Sequence, residues 1–188
     1  MKKYLVILLT FFVMMISSCK DVVVHYPIPL QSQLELIIIA TGSGHDITVQ
    51  FDANDLASEL VDKLNEVGLS MDDVEKIVLE GAAYIVVETN NSDAVINDSL
   101  NARYKGPEFI NMMYVDQLNL GQAINIPQTD VLTLEGVSLF NSVLDDIKNN
   151  MPLSDIFIQS KGFMVSGGTD AIFRVLLDLT ITTVVKKT

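Results

Sequence analysis

The chain has 188 residues, of which 24 are acidic and 12 basic, and its formal net charge is −12. That length is sufficient for one domain with its own hydrophobic core. The acidic balance argues against nucleic acid as a partner, because phosphate binding needs clustered Lys and Arg side chains that release counterions.

The N-terminal stretch has the layout of an export signal. Lys2 and Lys3 precede an apolar run over residues 4–16, and Ser17 and Ser18 then lead into the single cysteine, Cys19. A basic start, an apolar middle and small residues before the cleavage point are typical of secretory signals. The apolar run is shorter than the roughly 20 residues that a transmembrane helix needs. A buried core helix is a further alternative, but it would have to lie at the extreme terminus, behind two lysines, without any polar face.

The four residues Ile16-Ser17-Ser18-Cys19 resemble the lipobox of bacterial lipoproteins. The resemblance implies cleavage between Ser18 and Cys19 and attachment of a lipid anchor, carrying palmitate or a similar chain, to the Cys19 thiol. A plain secretory signal is the closest alternative, and the lone cysteine favours the lipoprotein, because an unpaired thiol is unusual in an exported protein. In Gram-negative lipoproteins an aspartate after the cysteine causes retention at the inner membrane. Lys20 therefore implies an outer-membrane location, on either the periplasmic or the surface side.

The expected mature chain divides into a leader and one domain. Removing residues 1–18 removes two lysines and no acid, so the net charge falls from −12 to −14. Residues 19–29 are predicted to form a lipidated leader, because Pro27 and Pro29 interrupt strand pairing beyond the valines at 22–24. Residues 30–188 are predicted to form a single β-rich α+β domain. Its acidity favours solubility, or attraction of cations and basic partners.

The domain begins with a predicted hairpin and helix. Residues 33–41 favour a strand, residues 42–46 a turn, and alternating apolar residues over 47–51 a half-buried second strand. An amphipathic helix is predicted over 54–67, from leucines at helical spacing. The turn contains Ser43, His45 and Asp46, the residue types of a hydrolytic triad. Neighbouring residues of one turn rarely hold that relay geometry, and no Gly-x-Ser-x-Gly motif is present, so no active site is predicted there.

The middle of the chain alternates apolar and polar stretches. Residues 74–89 are rich in β-branched residues and predict a strand, with a bulge or bend at Gly81. Residues 89–101 are rich in Asn and Asp and are interpreted as a loop. Calcium binding to these oxygens is a minor hypothesis, because their spacing departs from the EF-hand pattern. A further strand is predicted over 109–126, ending before Pro127.

The last third predicts a helix over 133–149, which Pro152 stops, and two strands over 154–165 and 171–185 joined by a turn. The odd-numbered positions of the final strand are mostly apolar, which indicates a buried face. Three apolar residues interrupt its polar face, which also carries a basic residue. These side chains form a candidate interaction face, made up of Ile172, Arg174, Leu176 and Val184.

The predicted fold is therefore α+β, a mainly antiparallel β-sheet or sandwich with two amphipathic helices. Metal-binding His spacing, a P-loop and a dinucleotide-binding motif are all lacking in the sequence, so no catalytic residue, cofactor or metal is predicted. The predicted function is a lipid-anchored cell-envelope protein that acts as a non-catalytic binding or structural module. Its expected partners are the membrane, through Cys19, and an envelope protein, a glycan or an apolar ligand. The alternative is a membrane-anchored hydrolase with an unrecognised carboxylate site.

Overall fold

A computed structural model describes residues 22–26, 32–129 and 131–187, and the side chains of residues 34–129 and 131–185. The helices in these ranges are α1 (Ala53–Glu66), α2 (Leu120–Ala123) and α3 (Leu134–Lys148), and Met71–Asp73 forms one 3-10 turn. The strands in these ranges are β1 (Val22–Tyr26), β2 (Ser32–Thr41), β3 (His45–Phe51), β4 (Val74–Thr89), β5 (Val95–Arg103), β6 (Ile110–Asn119), β7 (Ile156–Ser166) and β8 (Asp170–Lys187).

The strands form two sheets, and every pairing between named strands is antiparallel. In the first sheet β8 pairs with β4 along one edge and with β2 and β1, one after the other, along the opposite edge. The second sheet has the order β3-β7-β5-β6. A tight turn, closed by a 3.1 Å bond from the Gly44 amide to the Thr41 carbonyl, carries the chain from β2 to β3. The turn therefore joins the two sheets at one end.

One hydrophobic core runs between the sheets and beneath the helices. The odd-numbered residues 171–181 of β8 are all buried, as the alternation of the sequence predicts. Helix α1 buries Leu56, Leu60 and Leu64, and α3 buries Phe140 and Leu144, in the same cluster. Isolated helices of this length are marginal in water, so burial of these apolar faces is what stabilises them.

The predicted antiparallel α+β fold is confirmed, and so are its two amphipathic helices. The bend predicted at Gly81 is also present, as a shift in the pairing of β4 with β8 between Leu79 and Gly81. The final strand extends slightly beyond its predicted limits at both ends.

Three predictions are wrong. The hairpin predicted from residues 33–51 does not form, because β2 and β3 belong to different sheets and pair with β8 and β7 instead of with each other. The stretch 89–101, interpreted as a loop, contains most of β5, whose buried residues alternate with half-exposed ones. Its polar residues mark one face of a strand rather than a loop. The strand predicted over 109–126 ends at Asn119, where α2 begins because the Asn119 side chain accepts a 2.9 Å hydrogen bond from the Gln122 amide.

The predicted signal peptide, Cys19 and the two leader prolines lie outside the described residues. Strand β1 falls within the predicted leader, and its backbone pairs with the end of β8, so that Val22 lies opposite Lys187. No described helix combines the length and the hydrophobicity that a membrane span requires.

Candidate functional site

A cleft lies where the β2–β3 turn meets the second sheet. Its volume is about 680 Å³, within the range of small-molecule binding sites. The turn contributes residues 42–44, and strands β3, β5, β6 and β7 contribute the remaining wall. The side chains that give the cleft its chemistry are Ser43, His45, Asp46, Asn97, Asp98, Tyr114, Lys161 and Phe163.

Two exposed aromatic side chains flank the outer part of the cleft. Phe163 of β7 lies opposite Asn97 of β5, and Tyr114 of β6 lies opposite Ser99 of the same central strand. Cross-strand partners share a face of the sheet, so both rings lie on its outer face, roughly 12 Å apart from two strand spacings and two residues of rise. Tyr114 is 50% exposed and Phe163 46% exposed. Both rings are therefore open to contact with a ligand.

The floor of the cleft is polar. Gln159 donates a 2.7 Å hydrogen bond to one oxygen of Asp46, and the Lys161 ammonium lies 3.8 Å from the other. The Asn97 side-chain oxygen accepts a 2.7 Å bond from the Gln117 amide. Its side-chain NH₂ group has no partner among the described residues. The cleft therefore presents amide, ammonium and carboxylate groups to solvent.

A buried hydrogen-bond network lies directly beneath this floor. Asp98 accepts a 3.1 Å bond from the Tyr84 hydroxyl and a 2.9 Å bond from the Ser160 hydroxyl. His45 Nε2 lies 3.2 Å from Asp98 Oδ1 and 2.9 Å from Ser160 Oγ. Three donors around one carboxyl group are the arrangement that an ionised carboxylate requires, because it can only accept. Tyr84 belongs to the first sheet, so the network ties the two sheets together.

The network is not arranged for nucleophilic catalysis. In a serine hydrolase relay the carboxylate binds one ring nitrogen of histidine and the serine binds the other. Here Asp98 and Ser160 both contact Nε2 of His45, while the buried Nδ1 has no partner among the described residues. Because one ring nitrogen contacts both groups, His45 does not bridge Asp98 and Ser160 as the relay requires.

Burial raises the pKa of the Tyr84 hydroxyl well above its usual range, and the nearby charge of Asp98 and their hydrogen bond act in the same direction. Tyr84 therefore stays a neutral donor to Asp98. Gly162 lies opposite both His45 and Asp98 in the register of β7. A Cβ atom there would collide with the Asn97 carbonyl and lie 2.9 Å from Asp98 Cα, so only glycine fits between the strands.

The side chains of Ser43, His45 and Asp46, the three residue types of a hydrolytic triad, contact different partners. Ser43 shares a 2.9 Å hydrogen bond with Thr41, and Asp46 pairs with Gln159 on the outer face. His45 turns inward to Asp98 instead. The three residues thus have three different environments.

The candidate interaction face predicted from the last strand lies on the outer face of the first sheet. Ile172 is exposed, whereas Leu176 and Val184 are half-buried. The guanidinium of Arg174 lies 3.2 Å from Glu35 and 3.4 Å from Glu88, so neighbouring strands neutralise its charge. Exposed Ile37 and Ile39 of β2 extend this apolar surface beyond the residues that the sequence indicated.

Two of the asparagines that suggested calcium binding accept hydrogen bonds from backbone amides instead. The side-chain oxygens of Asn90 and Asn91 accept hydrogen bonds from the amides of Ile172 and Asp93. Across the described ranges, no three His, Cys, Asp or Glu side chains are grouped closely enough to hold a metal ion.

The residues of the cleft were mostly missed by sequence reasoning. Asp98 lay in the presumed loop, and Tyr84, Tyr114, Ser160 and Phe163 lay in strands without any assigned role. The period-two pattern of Ile96, Leu100 and Ala102 places Asp98 on the buried face of a strand, and a buried acid requires partners. That pattern is the sequence signal that identifies Asp98 as a buried residue with partners.

Comparisons of the chain with protein-family models, with curated proteins and with solved structures found no match.

Proposed function

We propose that the protein is a lipid-anchored, non-catalytic binding module of the cell envelope, which holds its cleft at the end of the domain farthest from the membrane. The lipobox resemblance at Ile16-Ser17-Ser18-Cys19 supports the anchor. The open cleft, with exposed rings above a polar floor, supports binding.

The observation that carries the proposal is the register of β8. At one end of this strand Lys187 pairs with Val22, and at the other end Asp170 pairs with Thr41, the residue that begins the turn at the cleft. The strand has 18 residues and so spans roughly 55 to 60 Å. Cys19 precedes Val22 by three residues, which reach at most about 10 Å. The anchor and the cleft therefore belong to opposite ends of the domain.

The chemistry of the cleft supports binding rather than hydrolysis. Ser160 is fully buried and donates to Asp98, so neither its hydroxyl nor its lone pairs face the cleft. The exposed Asp46 carboxylate is already paired with Gln159 and Lys161. The carboxylates at the cleft are thus occupied as hydrogen-bond acceptors, which leaves the hydrolase alternative without an activated group.

Metabolic labelling tests the proposal. Cells that express the wild-type protein or Cys19→Ala are grown with labelled palmitate, and the protein is then isolated from membrane and soluble fractions. Ser17→Ala is the matched control, because it changes the same stretch but keeps a small residue and the thiol. We expect label and membrane location in the wild type and in the control only. Label on both the wild type and Cys19→Ala, or on neither, would show that the anchor is wrongly assigned.

A further inference from the structure

We infer that the cleft between Tyr114 and Phe163 binds an uncharged, hydroxyl-rich oligosaccharide. This inference rests on the proposed function, because an anchored module with a cleft at its far end is placed to hold an extended ligand. Three properties of the described residues support it: the spacing of the rings, the mixed polar groups of the cleft floor and the charge of the surroundings.

The two rings define the length and shape of the ligand. They lie on one face, roughly 12 Å apart, on either side of the central strand β5. Aromatic rings offer flat apolar faces with little conformational entropy to lose. Sugar rings present a comparable flat face of C–H groups, so a chain of several sugars can cover both rings at once. A ligand that contacts both rings at once must bridge the gap between them.

The polar floor of the cleft suits hydroxyl groups. A hydroxyl both donates and accepts, and the amide of Asn97 and the hydroxyl of Ser43 do the same. Lys161 adds donors and Asp46 adds acceptors, 3.8 Å apart. An apolar ligand would strip water from these groups without replacing their hydrogen bonds, which costs free energy. The polar floor therefore disfavours a lipid or another apolar ligand.

The charge around the cleft disfavours an acidic ligand. Lys161 is the one basic residue that lines the cleft, and it faces the carboxylate of Asp46. The expected mature chain carries a net charge of −14 after loss of Lys2 and Lys3. Such a field repels acidic polysaccharides and phosphate-bearing ligands. A neutral sugar chain meets no such barrier.

Calorimetric titration of the membrane-extracted full-length protein in detergent micelles tests the inference. The probes are the tetramers of N-acetylglucosamine and of glucose, each at low and at high salt. We expect one of them to bind with an affinity that salt leaves unchanged. Tyr114→Ala and Phe163→Ala should each weaken that binding about tenfold, whereas Tyr114→Phe should retain it. Val165→Ala is the matched control, because Val165 is 47% exposed on the same strand and does not line the cleft.

Three results would overturn the inference. Neither tetramer binding at millimolar concentration would exclude neutral oligosaccharides of this kind. Binding that weakens with salt would show that charged groups of the cleft rather than its rings hold the sugar, and loss of binding in Val165→Ala would place the site elsewhere. Circular dichroism of each variant separates loss of binding from loss of fold. Failure here leaves the palmitate labelling of Cys19 unaffected, so the anchor and the ligand are tested separately.

Discussion

Replacing Asp98 by leucine should destabilise the protein severely. The side chain is fully buried and accepts bonds from Tyr84, Ser160 and His45 at 2.9 to 3.2 Å. In the variant, Ser160 and His45 keep their mutual 2.9 Å contact, whereas the Tyr84 hydroxyl is left without an acceptor. An orphaned buried donor costs about 1 to 3 kcal/mol, and each of the two bonds that Asp98 loses from Ser160 and His45 costs about 1 kcal/mol more.

We therefore expect Asp98→Leu to lower the free energy of unfolding by about 3 to 5 kcal/mol, a large share of the roughly 5 to 15 kcal/mol of a typical domain. Urea unfolding of the detergent-solubilised protein, followed by circular dichroism, measures the change as a fall in midpoint of more than about 1 M. Asp98→Asn keeps the size and one acceptor oxygen, so its cost should be roughly half as large.

Asp116→Leu is the matched control, because Asp116 is exposed on β6 of the same sheet. Its stability should stay within about 0.5 kcal/mol of the wild type. If Asp98→Leu were no more destabilising than Asp116→Leu, the network beneath the cleft would not hold the two sheets together.

Two further predictions concern the same sheet and a second tyrosine. Gly162→Ala should cost about 1 to 3 kcal/mol in urea unfolding, because the added methyl group collides with the Asn97 carbonyl, and a cost near zero would mean that β5 can shift freely. Burial, together with the hydrogen bond and charge of Asp146, raises the pKa of Tyr104 from 10.0 to about 12. Because the pKa of Tyr104 is raised in the folded state, this side chain stabilises the fold fully below pH 10, and that stabilisation is lost as the pH rises to about 12. The free energy of unfolding should therefore fall more steeply across this window in the wild type than in Tyr104→Phe. Equal slopes would contradict the Tyr104–Asp146 contact.

The sequence allowed the local elements to be predicted, because their signals lie within short windows. Leu56, Leu60 and Leu64 repeat at helical spacing, and the odd-numbered residues of β8 alternate with polar ones, so each pattern identified its element and its buried face. The turn chemistry at residues 42–44 likewise marked the β2–β3 connection. These predictions needed no knowledge of distant partners.

The cleft could not be predicted, because it is assembled from residues far apart in the chain. His45 meets Asp98 53 positions later, and Ser160 follows Asp98 by 62 positions. A charged residue in an alternating pattern is interpreted as part of a loop unless its partners are known, which explains the wrong assignment of β5. Tyr114 and Phe163 become neighbours only because β6 and β7 flank β5.

The distance of the cleft from the membrane tests the central claim most directly. A donor fluorophore is attached to Thr169→Cys, beside the turn at the start of β8, or to Lys76→Cys, which lies opposite Val184 near the other end. Both positions are exposed, and lipidation of Cys19 leaves each new thiol as the single reactive one. Energy transfer to acceptor lipids is then measured with the lipidated protein in vesicles. The register from Asp170 to Val184 separates the positions by roughly 45 Å, so we predict strong transfer from residue 76 and weak transfer from residue 169. Equal transfer from the two positions, or stronger transfer from residue 169, would contradict a cleft held away from the membrane.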